Sequence, residues 1–175
     1  GIPGDTIEIK DGIIFINGKK NILPDRAKPI FTYNIKSNKG VSSNKLKEIG
    51  IEGFIRKFVI TNLTPGSYEE ILNYILSISK TSDNEYLVYT NDSGIPLSII
   101  RDNNINISEL IDSTREISLT YEDAFKIEKS NLFDTIYRVT QSKGVSNLNF
   151  FPNNKNFKFN NDYLGPIYIP KKGDK

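Results

Sequence analysis

Alternating apolar and polar residues at the start of the chain predict a β-hairpin. Isoleucines alternate with polar residues over positions 6–10, and a second run, apolar up to Ile16, predicts the return strand over 13–17. The Asp11-Gly12 pair between the two runs is typical of a two-residue type I′ turn. The turn fixes a register that places two isoleucine pairs on one face, Ile9 with Ile14 and Ile7 with Ile16.

Beyond the hairpin, strand patterns alternate with helix patterns. Residues 19–29 contain Pro24 and Pro29 and no periodicity, which is typical of a linker. Strands are predicted at 29–37 and 54–63, with a short helix at 42–50 between them.

The strongest helical pattern predicts a helix over residues 67–79. Ser67 followed by Glu70 is the spacing of a capping box at a helix start. Apolar residues then recur at i, i+3, i+4, i+7 and i+8, as one face of a helix requires. These residues are Tyr68, Ile71, Leu72, Ile75 and Leu76.

The pattern then recurs at an offset of about 55 residues, as an internal duplication or two unrelated halves of similar pattern would produce. Residues 85–94 echo 30–40, residues 115–125 echo 57–71, and a last strand is predicted at 134–141. Two βαβα units and a final strand predict an α+β fold, either as a ferredoxin-like duplication or as two unrelated halves.

A second linker pattern, rich in Asn and Ser, covers residues 142–156, and a strand bounded by prolines follows within 163–170. The first hairpin and this last strand are expected to belong to one β unit. We therefore predict an outer unit of residues 1–28 and 149–175, interrupted by an inserted α+β domain of residues 29–148.

Composition excludes several kinds of chemistry. The 175 residues include no Cys and no His, so neither a Ser-His-Asp triad nor a Cys/His zinc site can form. No metal and no cofactor are expected. A net charge of +2 does not favour nucleic acid as a partner. No apolar run approaches the roughly 20 residues that span a bilayer.

The candidate chemical groups in this sequence have structural explanations. Acidic residues at predicted helix starts complement the helix dipole, and those in polar turns lack the spacing of a calcium loop. The first group comprises Glu69, Glu70, Glu122 and Asp123, and the second Asp83, Asp92 and Asp102. A Ser-Lys pair needs a desolvated lysine, and every lysine lies in a polar neighbourhood. The residues therefore predict no active site.

Both ends of the chain resemble bacterial type I signal peptidases. "GIPGDTIEIKDGIIFINGK" is similar to the stretch that follows the catalytic lysine of that family. The positions that match are Gly1, Pro3, Gly4, Asp5, Gly12, Asn17 and Gly18. "NNDYLGPIYIPKKGD" resembles a second segment of the Bacteroidetes-type members, which carry a long insert between the two.

The resemblance implies a membrane-anchored serine endopeptidase that removes signal peptides from exported precursors at the periplasmic face of the bacterial inner membrane. Its partners would be signal peptides and the cytoplasmic membrane. In that family the nucleophilic Ser and the neutral Lys both precede the position of Gly1. The resemblance thus implies a soluble extracytoplasmic fragment of a mostly-β protease scaffold, inactive alone, in which no catalytic residue can be assigned.

The resemblance assigns a structural role to the turn after the lysine, formed by Gly1, Pro3, Gly4 and Asp5. Pro3 and Gly4 would bend the chain. Asp5 would either accept hydrogen bonds or pair with a basic group near the site, or act as a plain turn carboxylate. Two other interpretations stay open: a non-enzymatic interaction module of a degenerate homologue, and an unrelated α+β domain.

Overall fold

A computed structural model describes residues 1–149 and 153–174. This part of the chain contains four α-helices and eleven strands. The strands form three antiparallel sheets, which confirms the predicted α+β class. The chain divides into two compact units, residues 1–28 with 139–175 and residues 29–138. Residues 150–152, within the predicted linker 142–156, and Lys175 lie outside the described residues.

The first unit contains one sheet. Its strands are β1 (Thr6–Lys10), β2 (Ile13–Ile16), β3 (Lys19–Lys20) and β11 (Leu164–Tyr168), in the order β11-β1-β2-β3. The predicted hairpin register is confirmed, since Ile9 pairs with Ile14 and Ile7 with Ile16. Asp11 and Gly12 both have positive φ, as a type I′ turn requires.

The last strand joins the hairpin, as expected for a single β unit. In β11, Ile167 pairs with Ile7 and Tyr168 with Thr6. Gly165 permits this approach, because a Cβ at its position would lie 2.6 Å from the Ile7 carbonyl oxygen. Its φ of +90° is also one that other residues resist.

The second unit contains the other twelve elements. The strands are β4 (Ile30–Lys36), β5 (Arg56–Thr61), β6 (Ile75–Ser82), β7 (Glu85–Thr90), β8 (Asn106–Glu109), β9 (Thr114–Thr120) and β10 (Thr135–Arg138). The helices are α1 (Ser43–Glu48), α2 (Pro65–Ile71), α3 (Leu97–Asp102) and α4 (Tyr121–Ser130), with a 3-10 turn at Leu72–Tyr74. One sheet has the order β10-β4-β9, and the other has the order β6-β7-β5-β8.

The two sheets are built by an exchange of strands between the two halves of this unit. β4 from the first half lies between β9 and β10 of the second, and β7 from the second half lies between β5 and β6 of the first. The registers match, since Tyr33 faces Ile117 in one sheet and Val88 faces Phe58 in the other. The pairing therefore favours the duplication, but it yields two sheets instead of one ferredoxin-like sheet.

Each sheet of the second unit has its own apolar core. One core includes Ile35, Leu46 and Ile127, and the other includes Ile60, Ile71 and Val88. All buried apolar side chains in the described residues belong to this unit. The part of the first unit that the structure describes has no comparable core on its isoleucine face.

The predicted helix over 67–79 is wrong in its position and in its second half. Thr64 is the N-cap, and its hydroxyl and that of Ser67 each accept from the other's backbone N–H. The chain leaves the helix after Ile71 and enters β6 at Ile75, where pairing with β7 overrides the helical stripe. Leu76, expected on the buried stripe, is 61% exposed.

The shifted helix start also changes the interpretation of the acidic residues. Glu69 and Glu70 lie beyond the first turn of α2, which contains no acidic residue. Glu122 and Asp123 do lie in the first turn of α4, as predicted. Asp123 donates its backbone N–H to the N-cap Thr120.

Candidate functional site

The segment that carries the signal peptidase resemblance forms a tight turn at one end of the first unit's sheet. The Ile2 N–H donates to a carboxylate oxygen of Asp5 at 2.8 Å, and the Asp5 N–H donates to the Ile2 carbonyl at 3.0 Å. Gly4, between them, has a φ of +96°. The bend predicted at Pro3 and Gly4 is therefore formed, and glycine is needed at its third position.

Asp5 also connects this turn to Asn17, which follows the end of β2. Its second carboxylate oxygen accepts from the Asn17 side-chain amide at 2.8 Å, and the Asn17 amide oxygen accepts from the Thr6 N–H at 2.9 Å. The hydrogen bond from Ile2, followed by that from Asn17, holds the pKa of Asp5 below its usual value. Within the described residues Asp5 acts as a hydrogen-bond acceptor and contacts no basic side chain.

Gly1 and Pro3 complete the motif in different ways. A Cβ at Gly1 would lie 2.5 Å from Cδ1 of Ile7 and 2.7 Å from Cδ1 of Ile169, so a larger residue there would require these two side chains to move. Pro3 is exposed. The four motif residues thus shape the chain, and none of them presents a reactive group.

A second turn of the same design lies at the other end of the chain. The Lys171 N–H donates to a carboxylate oxygen of Asp174 at 2.9 Å, and Gly173 has a φ of +99°. The Tyr168 hydroxyl donates to the same oxygen at 2.6 Å, which lowers the pKa of Asp174. The sequence showed "PGD" and "KGD" separately, but their common geometry appears only in the structure.

The two turns approach each other across the sheet. The Gly4 N–H donates to the Ile169 carbonyl, and the Ile169 N–H donates to the Asp5 carbonyl, both at 2.8 Å. These bonds extend the pairing of β1 with β11 beyond the strands. The two segments that carry the resemblance therefore form one continuous piece of structure.

No Ser-Lys dyad forms in the described residues. None of their lysines is buried, whereas a lysine that serves as a base must be desolvated. The buried serines among these residues are Ser37, Ser43 and Ser67, and their hydrogen bonds are to groups other than lysine side chains. The described residues also hold no group of three potential metal ligands, and none of their helices is long and apolar enough to cross a membrane.

A cluster of charged side chains that was not predicted lies in the second unit. Arg56 of β5 donates to Glu109 of β8 through Nη2 at 2.9 Å and through Nε at 3.4 Å. The Ser43 hydroxyl donates to the same carboxylate and accepts from Nη1 of Arg115 at 3.2 Å. The cluster joins the two sheets of this unit and the start of α1.

Hydrogen bonding determines the protonation state of this cluster. Burial alone would raise the pKa of Glu109, but hydrogen bonds from Arg56 and Ser43 and the nearby positive charges outweigh it, so the pKa is lowered. Burial lowers the pKa of Arg115. Because the carboxylate is already bound by two donors, we interpret the cluster as a structural tie and not as an acid or base.

No signal in the sequence paired Arg56 with Glu109, because the contact depends on β8 lying beside β5. Comparison of the chain with protein-family models, with curated proteins and with solved structures finds no match.

Proposed function

We propose that this chain is an extracytoplasmic part of a membrane-anchored type I signal peptidase. In this proposal the first unit is part of the β scaffold, and the α+β unit of residues 29–138 is an insert. The chain alone is not a catalyst. The nucleophilic Ser and the Lys base would come from the part of the enzyme that precedes Gly1.

One observation carries the proposal. The two segments that resemble the family are far apart in sequence, yet β1 and β11 pair and their flanking turns exchange backbone hydrogen bonds. A chance likeness at two distant positions gives no reason for this pairing. The bonds of Asp5 to Ile2 and Asn17 further fit a motif that fixes the direction of the chain.

The apolar face of the first unit gives separate support. Ile14 and Ile167 are exposed on the face that also carries Ile7, Ile9 and Ile16. A sheet with one apolar face is stable when another layer covers that face. The remainder of a β scaffold would supply such a layer.

In the proposed enzyme, this chain would position the base and not take part in proton transfer. A lysine just before Gly1 would be held by the turn that Gly1, Gly4 and Asp5 form. Because small displacements of a catalytic group are costly, a loosened turn should reduce the rate.

The test is cleavage of a signal-peptide precursor by the full-length product of the gene in membranes, compared with the isolated chain. We expect cleavage after small residues by the full-length product and none by the isolated chain. Asp5→Ala in the full-length product should lower the rate by about tenfold or more. Asp83→Ala, at an exposed carboxylate of the other unit, is the matched control and should leave it unchanged.

Two outcomes would overturn the proposal. One is a full-length product that is abundant in membranes but cleaves no precursor. The other is cleavage by the isolated chain that survives repurification and disappears when a Ser or Lys within residues 1–175 is replaced.

The second candidate is a non-enzymatic interaction module of a degenerate homologue. The observation that favours it is a sheet edge in the second unit, at β9, that pairs with no other strand in residues 1–149 and 153–174. A full-length product without cleavage activity that still binds polypeptide at this edge would favour this candidate.

A further inference from the structure

The two sheets of the second unit match strand for strand, except that one lacks its fourth strand. β6-β7-β5 in one sheet corresponds to β10-β4-β9 in the other. β8 then covers the outer edge of β5, where Ile107 pairs with Ile60. The equivalent edge of β9 pairs with no strand among the described residues.

The lengths of two connections explain the difference. Each half has a glycine turn followed by a short helix. Equivalent hydrogen bonds close the two helices, from the Ile51 N–H to the Leu46 carbonyl and from the Ile105 N–H to the Ile100 carbonyl. After Ile105, residues 106–114 form β8 and then return to β9. After Ile51, residues 52–55 lead directly into β5 and form no strand of their own.

Two cavities beside β9 form a groove. One cavity, of about 150 Å³, is lined by residues 53–55, by residues 116–118 of β9 and by Thr32 of β4. A second cavity, of about 300 Å³, shares Ile55 and Glu116 with the first and extends toward Tyr89 and Leu110. Ile55 is 56% exposed, so the groove offers an apolar side chain beside an open strand edge.

The two sheet edges also differ in how their arginines are bound. Arg56 at the start of β5 is bound by Glu109 of β8 at 2.9 Å. Arg115 is the equivalent residue of β9, and its guanidinium donates to Ser43 Oγ and to the carbonyls of Val41 and Ile55. Among the described residues no carboxylate contacts Arg115 directly: Glu109 reaches it through the Ser43 hydroxyl, and Asp112 lines the same cavity. Glu116 points to the opposite face of the sheet, since side chains alternate along a strand.

We propose that the open edge of β9 binds an extended peptide segment as a fourth strand, with a carboxylate of that segment at Arg115. β8 occupies the matching edge of β5 and serves as the template for the peptide. It has an apolar residue, Ile107, two positions before an acidic one, Glu109. Peptides that add a strand to a sheet edge gain main-chain hydrogen bonds, with selectivity from alternate side chains. The proposal goes beyond the proposed function and does not depend on it.

The test uses a peptide with the sequence of residues 105–111, INISELI, added to the whole chain. Hydrogen exchange of the β9 amides should slow as the peptide concentration is raised until the protein is saturated. A peptide with Pro in place of its Ser should bind at least tenfold more weakly, because proline removes an N–H and disfavours strand pairing. A peptide with Gln in place of Glu should bind about tenfold more weakly, as expected for loss of a charge-assisted hydrogen bond.

Two protein variants separate binding from folding. Ile55→Glu places a negative charge in the groove at an exposed position and should weaken binding by about tenfold or more. Leu97→Glu, at a residue 80% exposed on α3, makes the same change away from the groove and should not alter binding.

The proposal is overturned if millimolar peptide leaves exchange of the β9 amides unchanged. It is also overturned if the changes are confined to β5, which would mean displacement of β8, or if the proline peptide binds as well as INISELI.

Discussion

Glu109 and Arg115 are linked through one serine, so a single carboxylate serves two guanidinium groups. Glu109 binds Arg56 directly and reaches Arg115 through the Ser43 hydroxyl. Each arginine also lies over a phenylalanine ring, Arg56 over Phe58 at 4.7 Å and Arg115 over Phe54 at 5.0 Å. The start of each matching strand, β5 and β9, thus carries a cation that depends on this carboxylate.

Glu109→Gln should destabilise the second unit by about 2 to 4 kcal/mol, because removing one member of a largely buried pair leaves uncompensated charge. The side chains of Arg56 and Glu109 are only 17% and 15% exposed. Urea unfolding at neutral pH measures the loss. Glu116→Gln, at an exposed carboxylate of β9, should change stability by less than about 0.5 kcal/mol. Equal effects of the two substitutions would show that the cluster adds no stability.

The same carboxylate predicts a dependence of stability on pH. The folded pKa of Glu109 is lower than its unfolded value. Its contribution is therefore complete above the ordinary glutamate pKa and is lost as the pH falls through the folded pKa. Unfolding free energies measured from pH 7 down to acid should fall more steeply for the native chain than for Glu109→Gln. Parallel curves would contradict this prediction.

Thr64→Ala should cost about 1 kcal/mol, the usual value of a lost N-cap hydrogen bond. The Thr64 hydroxyl accepts from the Ser67 N–H at 3.2 Å. Glu70→Ala tests the capping box that the sequence predicted, and it should have almost no effect, because Glu70 lies beyond the first turn of α2. The free energies of unfolding of the two variants in urea show whether Thr64, as in the structure, or Ser67, as predicted, caps the helix.

The sequence predicted what depends on local pattern. The Asp11-Gly12 turn sets the hairpin register by its own backbone preference, and alternation identified most strands of the second unit. The helix over 67–79 was wrong because Ile75 follows helical spacing but pairs with Thr90 of β7, a contact that no local pattern encodes. The exchange of β4 and β7 and the contact of Arg56 with Glu109 were missed for the same reason. In the motif, the pattern identified Asp5 as a turn residue but not Asn17 as its partner.

Gly165→Ala should disrupt the pairing of β1 with β11 far more than Gly173→Ala. Both glycines have φ near +90°, so each alanine should cost about 1 to 2 kcal/mol of backbone strain. A Cβ at Gly165 also meets the Ile7 carbonyl at 2.6 Å, whereas one at Gly173 meets nothing within 4 Å. Hydrogen exchange of the β1 amides should therefore accelerate strongly in the first variant only. Similar exchange in both would mean that β11 does not approach β1 so closely.

Asn160 is a buried polar side chain of the first unit that binds four backbone groups. It is fully buried, and its amide donates to the carbonyls of Ser142 and Val145 at 3.0 and 2.9 Å. Its amide oxygen accepts from the N–H groups of Asp162 and Tyr163, both at 3.0 Å. Asn160→Leu keeps a similar volume but leaves four backbone groups without this partner, which should cost about 2 to 4 kcal/mol.

The effect of Asn160→Leu should be local, because the lost hydrogen bonds hold residues 142–145 against the start of β11. We expect faster hydrogen exchange and proteolysis in residues 142–149 and 153–163 and unchanged exchange in β4 and β9. Asn161→Leu, at the exposed asparagine next to Asn160, is the control for the change in hydrophobicity. If both variants resist proteolysis as well as the native chain, the packing of this segment does not depend on Asn160.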